Sequence, residues 1–182
     1  MSSRKQFEET PSPVSVAREK TSDAPEAVVM DDISFEPDLE RLMRKLRAKD
    51  GTRFSDQLAV LVEEAREIAN PRAMYRVAYV DSRDESGVVI GGERFRSRVL
   101  KVNLEGVHRV FPFVVTAGDE LHEWMMSQDD LLLRYYADVI SEDALRRAVS
   151  KLTAHLLRRF GLGRTSTMSP GSLADWPVQE QG

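Results

Sequence analysis

"VHRVFPFVVTAG", residues 107–118, is the stretch that decides the fold class of this chain. Its nearly continuous run of Val and Phe is typical of a strand buried on both faces. Pro112 requires an edge position or a bulge, because proline cannot donate a ladder hydrogen bond. The segment "DELHEWMMS" (119–127) follows directly and predicts a helix. A strand that leads straight into a helix indicates a domain that mixes both kinds of element.

The segments before this strand alternate between patterns typical of helices and patterns typical of strands. Apolar residues at helical spacing predict helices over "EPDLERLMRKLRAK" (36–49) and over "SDQLAVLVEEAREIANP" (55–71), with Ser55 as the predicted N-cap of the second. Strands are predicted over "AMYRVAYVD" (73–81) and "VVIGG" (88–92). "SRVLKVNLEG" (97–106) fits a helix capped by Ser97, and a strand is the alternative interpretation of this segment.

Two further helices are predicted after it, over "DDLLLRYYADVIS" (129–141) and "EDALRRAVSKLTAHLLRRF" (142–160). Ser141 would cap the second of them, and Gly161 and Gly163 would end it. The sequence therefore predicts an α+β fold in which several helices flank a small mixed sheet. Residues 1–33 are rich in Ser, Thr, Pro, Glu and Lys and predict a disordered tail, so that residues 34–182 form the domain.

Composition narrows the class of protein. The net charge is −4, so the chain has no bulk basic field for nucleic acid or for an anionic membrane. It has no run of about 18 apolar residues that would predict a transmembrane helix, and no secretory signal. Cysteine is absent, which excludes disulfides, thiolate metal sites and a cysteine nucleophile. A cytoplasmic location is the default for such a chain.

The sequence offers no recognisable catalytic motif. His108, His122 and His155 lack the spacing of a metal site, and GxSxG, P-loop and GxGxxG motifs are absent. The DxHxxG element, which supplies a histidine to cobalt in cobalamin-binding domains, is also absent. We therefore assign no catalytic residue and no metal ligand.

Two internal segments carry alternative interpretations. In "TAGDEL" (116–121), Thr116 and Gly118 stand at a strand-to-helix junction whose N–H groups could bind an anion, or Gly118 makes a tight turn and Asp119 caps the helix. In the Tyr135-Tyr136 pair, one ring belongs in the core and the other at the surface, unless a ligand contacts the neighbouring Asp138.

The last fifteen residues, "MSPGSLADWPVQEQG" (168–182), are unusual for a chain end. They contain a Pro-Gly pair and an Asp-Trp-Pro triplet, whereas chain ends are usually polar and dispensable. They form either a disordered tail or a shaped loop. In a purely structural interpretation, Trp176 and the prolines seal the core against the last helix.

Three segments, in order, resemble the activation domain of vitamin B12-dependent methionine synthase, and more closely its small stand-alone relatives beside corrinoid enzymes. "VFPFVVTAGDEL" (110–121) resembles the family's apolar strand with Thr-x-Gly and an acidic helix start. "YYADVISEDALRRAV" (135–149) resembles its helix with an Asp before the next helix. "MSPGSLADWPVQEQ" (168–181) resembles its terminal loop and is the most specific of the three. "SRVLKVNLEG" fits the preceding helix more weakly, so the resemblance covers residues 95–182.

This resemblance implies a function. In the full-length enzyme, the activation domain binds S-adenosylmethionine over the corrin when cobalt(I) has been oxidised to inactive cobalt(II), and an external electron donor allows remethylation. The chain would then be an activation or reactivation module of a methyltransferase system, in the pathway of methionine biosynthesis or a related one. Because the chain lacks DxHxxG and is short, the cobalamin must come on a corrinoid-binding partner protein or methyltransferase subunit. The alternative is an adaptor or chaperone that docks on a corrinoid protein without binding S-adenosylmethionine.

The resemblance also implies the site residues. The S-adenosylmethionine loop would comprise Arg164, Thr167, Ser169, Pro170, Gly171 and Ser172. The residues lining the site would be Thr116, Gly118, Asp138, Asp175 and Trp176.

This chain departs from the family pattern at three places. Thr167 stands where the family has an Arg, three residues before the proline, and a threonine cannot pair with the methionine carboxylate as a guanidinium does. Arg164 would substitute only if the loop bends differently. Ser172 stands where the methionine synthases have a Tyr, although the stand-alone relatives also have Ser there. The chain stops soon after "VQEQ", where relatives continue with an apolar segment, which leaves a truncation open.

Overall fold

Five helices and seven strands lie within residues 26–180, the part of the chain that this computed structural model describes. The helices are α1 (Leu39–Leu46), α2 (Arg53–Ile68), α3 (Arg98–Asn103), α4 (Asp119–Met126) and α5 (Leu131–Phe160). The strands are β1 (Val28–Met30), β2 (Arg72–Tyr75), β3 (Ala78–Arg83), β4 (Val88–Ile90), β5 (Glu93–Phe95), β6 (Arg109–Val110) and β7 (Phe113–Thr116). A short 3-10 turn follows at Val178–Glu180.

The α+β class is confirmed, but the sheet differs from the prediction. The described strands form two small antiparallel sheets, with strand orders β1-β2-β7 and β5-β4-β3-β6, rather than one mixed sheet. Sequence periodicity reports which residues are apolar, whereas the pairing of strands depends on residues far apart in the chain.

One antiparallel ladder joins the two sheets. β2 pairs with β7 and β3 pairs with β6, and the register is the same in both pairs. Between them the N–H of Arg76 donates to the carbonyl oxygen of Pro112 (3.1 Å), so the register continues unbroken. Pro112 cannot donate in return because it has no N–H. The pairing is therefore weakest there, which is where the two sheets separate.

The predicted strand at 107–118 is right in type and wrong in burial. It contains β6 and β7, and each of them is the edge strand of its sheet, as Pro112 requires. It is not buried on both faces, because Phe113 and Val114 are exposed. Its apolar residues pack into the cores on both sides of the antiparallel ladder, and they do not lie in the interior of a parallel sheet.

Alternating residues of the ladder face opposite sides, which we call the α5 face and the α3 face. Ala73 and Tyr75 point to the α5 face, where they pack against Leu152 and Leu156 of α5. Ala78, Val80 and Val110 point to the α3 face, where they pack against α3 and the end of the chain. The ladder thus carries a core on each side.

A further apolar cluster holds the helices together. Its buried residues come mainly from α1, α2, α4 and α5, and they are Phe35, Leu42, Leu58, Leu61, Val62, Ala65, Leu121, Tyr136, Val139, Ile140 and Ala144. The periodic stripes predicted for α1 and α2 supply much of this set. The helices α1, α2 and α4 therefore pack around α5, whereas α3 lies on the opposite face of the ladder.

The two helices predicted over 129–160 are one helix, α5, of 30 residues. Ser141 does not cap a second helix, since its hydroxyl donates to the carbonyl of Ala137 (2.9 Å) inside the helix. A serine in mid-helix often makes this bond, and no Gly or Pro interrupts 131–160. The predicted end at Gly161 is confirmed, with Gly161 in the left-handed conformation (φ 58°).

Two helix starts test the predicted caps. Ser97 is the N-cap of α3, as predicted, and its hydroxyl accepts from the N–H of Leu100 (2.9 Å). Ser55 is not the N-cap of α2; Thr52 is, and Ser55 completes a capping box three residues later. The prediction placed the helix start one turn late because both residues are good caps.

The disordered tail predicted over residues 1–33 is too long, because ordered structure begins before residue 33. Val28–Met30 form β1, which pairs with β2, and Ile33 is buried against the α5 face. A three-residue strand has too little sequence pattern to be recognised without its partner, which lies about 45 residues further on. Residues 1–25 lie outside the described residues.

Candidate functional site

The closing loop, residues 168–180, has a defined shape. Ser169 to Ser172 form a turn in which the N–H of Ser172 donates to the carbonyl of Ser169 (2.9 Å). Pro170 occupies the second position and Gly171 the third, with a φ of 83°, as a type II turn requires. The N–H of Gly171 then donates to the carbonyl of Trp176 (2.6 Å). Residues 168–180 therefore fold back on themselves and do not form an extended segment.

Trp176 anchors this loop in the α3-face core. It is 7% exposed and packs with Ala78, Val88 and Leu100. The ring of Phe95 meets it edge to face, with the centroids 5.9 Å apart. Trp176 therefore seals a core, as the structural interpretation proposed, but the surface it seals belongs to the strands and α3 rather than to the last helix.

The indole N–H of Trp176 has no acceptor. Its Nε1 is the only buried side-chain nitrogen or oxygen between residues 26 and 180 without a hydrogen-bond partner. A buried donor left unpaired costs about 1–3 kcal/mol. An acceptor atom that reached this N–H would therefore be stabilising.

Asp175 fixes the loop to the start of α3. One carboxylate oxygen accepts from the Ser97 hydroxyl (2.6 Å), and the other accepts from the backbone N–H groups of Arg98 (2.6 Å) and Val99 (3.4 Å). Ser97 itself accepts from the N–H of Leu100. The first N–H groups of the helix are thus satisfied within the chain, and Asp175 is a structural cap rather than a free ligand-binding carboxylate.

We expect acidification to release this anchor. The Ser97 hydroxyl, followed by the α3 backbone N–H groups, lowers the pKa of Asp175. A group whose folded pKa is lowered contributes stability above its unfolded pKa, about 3.9, and loses it as the pH falls toward the folded value. In a Trp124→Phe background, the fluorescence of Trp176 should therefore shift to the red as the pH falls below about 4.

Asp175→Asn is the matched control for this titration, because it keeps the size of the side chain and removes the charge. The variant should have a looser loop at neutral pH and a smaller fluorescence change on acidification. An identical acid titration in both proteins would show that Asp175 does not hold the loop.

Arg164 and Thr167 lie in an exposed segment, residues 163–167, which we call the crossing span. Leu162, just before it, packs with the α5-face core, and Met168, just after it, packs with the α3-face core. The chain therefore passes from one face of the ladder to the other here. Asn103 of α3 contacts Met168 (Nδ2 to Sδ 3.2 Å) where the span ends.

The backbone donors of the Pro-Gly turn are already used. The N–H of Ser169 donates to the Ser172 hydroxyl (2.9 Å), and those of Gly171 and Ser172 donate to carbonyls of the same loop. Pro170 has no N–H. A ligand would therefore meet the exposed side chains and carbonyl oxygens of this turn, unless it displaced the internal bonds.

Thr116 and Gly118 lie in a different environment from the closing loop. Gly118 has a φ of 99°, and a Cβ there would lie 3.0 Å from the carbonyl oxygen of Asn70, so the close approach requires glycine. Its N–H donates to the Thr116 hydroxyl (3.0 Å). Glu120, whose pKa is lowered chiefly by the Asn70 amide, stands beside it. The tight-turn interpretation holds, although Gly118 rather than Asp119 is the N-cap of α4.

The Tyr pair of α5 behaves as its structural interpretation predicts. Tyr136 is buried in the helical cluster, whereas Tyr135 and Asp138 are exposed. Thus the structure brings Asp175, Trp176 and the Ser169–Ser172 turn together. The contacts described for Thr116 are with β2, and those for Gly118 are with Asn70 and Glu120. Sequence reasoning missed Phe95 and the bond between Ser97 and Asp175, since nothing local links residues 78 positions apart.

Two shallow concavities lie along α2 rather than at the closing loop. One, of about 410 Å³, is lined by Ala59, Val60, Glu63, Glu64 and Glu67. The other, of about 330 Å³, lies between α2 and the start of α5 and includes Arg53, Gln128 and Leu133. Their exposed walls combine apolar side chains with a few charged ones and bring no set of convergent donors together, so we assign them no ligand.

Within residues 26–180, no group of three or more His, Asp or Glu side chains is arranged to hold a metal ion. None of the helices described there is both long and apolar enough to cross a bilayer. No protein-family model matches the chain, and no curated protein is found to be similar to it.

Proposed function

We propose that this chain is an activation or reactivation module of a cobalamin-dependent methyltransferase system of the methionine synthase type. The observation that carries the proposal is the shape of the closing loop. Its Pro-Gly turn, its Asp175 anchor and its buried Trp176 make it an ordered element. These are the residues through which the sequence resembles the ligand loop of the activation domain.

The crossing span and the Ser169–Ser172 turn are where the module would hold S-adenosylmethionine. Arg164 is exposed and takes part in none of the ion pairs found within residues 26–180. A guanidinium recognises a carboxylate through two parallel hydrogen bonds. Arg164 is therefore the candidate partner for the methionine carboxylate, and Thr167 supplies only a hydroxyl nearby.

The corrinoid would be a substrate carried by a separate partner protein. Once an electron donor has reduced it, it would take the methyl group of S-adenosylmethionine and leave S-adenosylhomocysteine. In this scheme the chain supplies binding and orientation, whereas the reactivity belongs to the metal. We assign the chain no acid, base or nucleophile.

A second candidate function is an adaptor that docks on a corrinoid protein without binding S-adenosylmethionine. A specific observation favours it: the backbone N–H groups of the Pro-Gly turn are used within the loop. The threonine at position 167 removes the other strong contact that the family resemblance would place there. Affinity for S-adenosylmethionine is what separates the two functions.

Calorimetric titration with S-adenosylmethionine, with and without a cobalamin-loaded corrinoid protein, distinguishes them. An activation module should bind weakly alone and more tightly in the complex, where the corrin covers the exposed loop. An adaptor should give the heat of complex formation with the corrinoid protein and none with S-adenosylmethionine. If neither titration gives heat with well-folded protein, both functions are excluded.

Free cobalamin should not bind tightly to the isolated chain. The sequence lacks DxHxxG, and the Nε2 atom of His155 forms a hydrogen bond with the Tyr75 hydroxyl (3.0 Å). We expect the absorption spectrum of cobalamin to remain unchanged when the protein is added in excess. A spectrum in which a histidine has replaced the cobalamin's own base would contradict this expectation.

A further inference from the structure

An apolar row crosses the three-stranded sheet on its α3 face. Val29, Met74 and Val114 are direct neighbours across β1, β2 and β7. They are 61%, 43% and 64% exposed. We call this row and the rows on either side of it the open sheet face. Three adjacent apolar side chains with this exposure mark an interaction site more often than an isolated exposed residue does.

Two arginines, Arg72 of β2 and Arg76 just after it, flank the row on the same face. Arg72 lies one row toward the end of β7, and Arg76 lies one row toward β3, where its guanidinium approaches Gly91. Neither guanidinium takes part in the ion pairs found within residues 26–180. The face therefore combines an apolar centre with two arginines, of which Arg72 also interacts electrostatically with Glu120. This combination fits a partner surface with an apolar centre and carboxylates.

The closing loop lies on the same side of the ladder. Met74, Arg76 and Ala78 alternate onto the α3 face, and Ala78 packs in the cluster that contains Trp176. The α3 segment and the closing loop cover this side at the β3 end and leave it open at the β1 end. A macromolecule that approaches the closing loop from this side meets the open sheet face in the same footprint.

We propose that the open sheet face is the docking surface for the corrinoid-carrying partner protein. This inference rests on the proposed function, which requires such a partner at the closing loop. The apolar row would form the centre of the contact, and carboxylates of the partner would pair with Arg72 and Arg76. The partner would thereby present its corrinoid to the span that carries Arg164.

The size of the face argues for such a partner rather than for a second copy of this chain. Three strands about 4.8 Å apart and three residue rows about 7 Å apart give roughly 300 Å². A stable protein interface needs about 800 Å² on each side. Two copies joined through this face alone fall short of that, whereas a partner that also covers α3 and the closing loop does not. The two arginines would also meet their like in a symmetric pair.

Single substitutions test the face directly. Val114→Glu and Met74→Glu place a negative charge in the apolar row, and Arg72→Glu reverses one flanking charge. Val60→Glu is the matched control, since Val60 is 58% exposed and lies on α2, a helix that packs against α5 and supplies no residue of the open sheet face. The dissociation constant for a cobalamin-loaded corrinoid protein is measured for each variant, and thermal unfolding checks that each one is folded.

We expect the substitutions on the face to weaken binding about tenfold or more, because central interface residues dominate affinity. Val60→Glu should change it less than about twofold, and binding of S-adenosylmethionine to the isolated chain should stay the same in all variants. If the complex forms and these substitutions leave its dissociation constant unchanged, the open sheet face is not the docking surface, while the proposed function stands. If the unaltered chain forms no complex, both fail.

Two other occupants of the face would also overturn the proposal. A second copy would appear as a dimer in light scattering that Val114→Glu dissociates. If residues 1–25 cover the face instead, their deletion should increase the accessibility of Met74 to oxidation.

Discussion

Replacing Trp176 by Ala should lower the free energy of unfolding by about 3–5 kcal/mol, the range for truncating a large buried aromatic side chain. The indole fills the space between Phe95, Leu100 and the ladder residue Ala78. Its loss would leave a cavity and detach the loop that Asp175 holds on α3. Urea unfolding, followed by circular dichroism, measures the change.

Two control variants isolate the cause of this loss. Trp176→Phe keeps an aromatic ring and removes an N–H that has no acceptor, so it should cost much less than Trp176→Ala. Leu131→Ala truncates a side chain that is 80% exposed and should stay within about 0.5 kcal/mol of the unaltered protein. A change below about 1 kcal/mol for Trp176→Ala would show that the closing loop is not part of the folded core in solution.

Thr167→Arg should strengthen S-adenosylmethionine binding by about tenfold to a hundredfold. A charge-assisted pair with a carboxylate contributes about 1.5–3 kcal/mol, and each 1.4 kcal/mol changes affinity tenfold. The position is exposed in the crossing span, so the longer side chain meets no packed neighbour. Calorimetric titration of the chain with S-adenosylmethionine, in parallel with the unaltered protein, measures the gain.

Ser166→Arg is the matched control, because it adds the same charge at the adjacent exposed position. It should gain little if the position of the guanidinium matters more than the net charge. Arg164→Ala tests the alternative donor: if Arg164 already binds the carboxylate, its removal abolishes binding and Thr167→Arg adds little. If the unaltered chain binds S-adenosylmethionine tightly and none of the three substitutions changes the affinity, this span does not hold the ligand.

The helices were predictable where their signals are local. The apolar stripes of α1 and α2, the Ser97 cap and the Gly161 end each depend on residues within about one or two turns. The division of α5 at Ser141 was wrong because the same residue type caps a helix or donates within it. Local sequence does not choose between these two uses.

The strands were harder to predict because their stability is non-local. β1 depends on its pairing with β2, and β5 (Glu93–Phe95) has no apolar pattern of its own. In the site, the Ser169–Ser172 turn follows from Pro-Gly chemistry alone. The anchor from Asp175 to the start of α3 does not, since an aspartate in a loop can cap any helix that the fold brings near it.

The central claim is tested most directly by reductive methylation of a corrinoid protein that has been inactivated by oxidation. The oxidised protein is mixed with an electron donor and S-adenosylmethionine, and its absorption spectrum is followed with and without this chain. We expect the methylated corrinoid, with an equal amount of S-adenosylhomocysteine, to form much faster when the chain is present, and expect Trp176→Ala to abolish that gain. Equal rates with and without the folded, unaltered chain would contradict the proposed function.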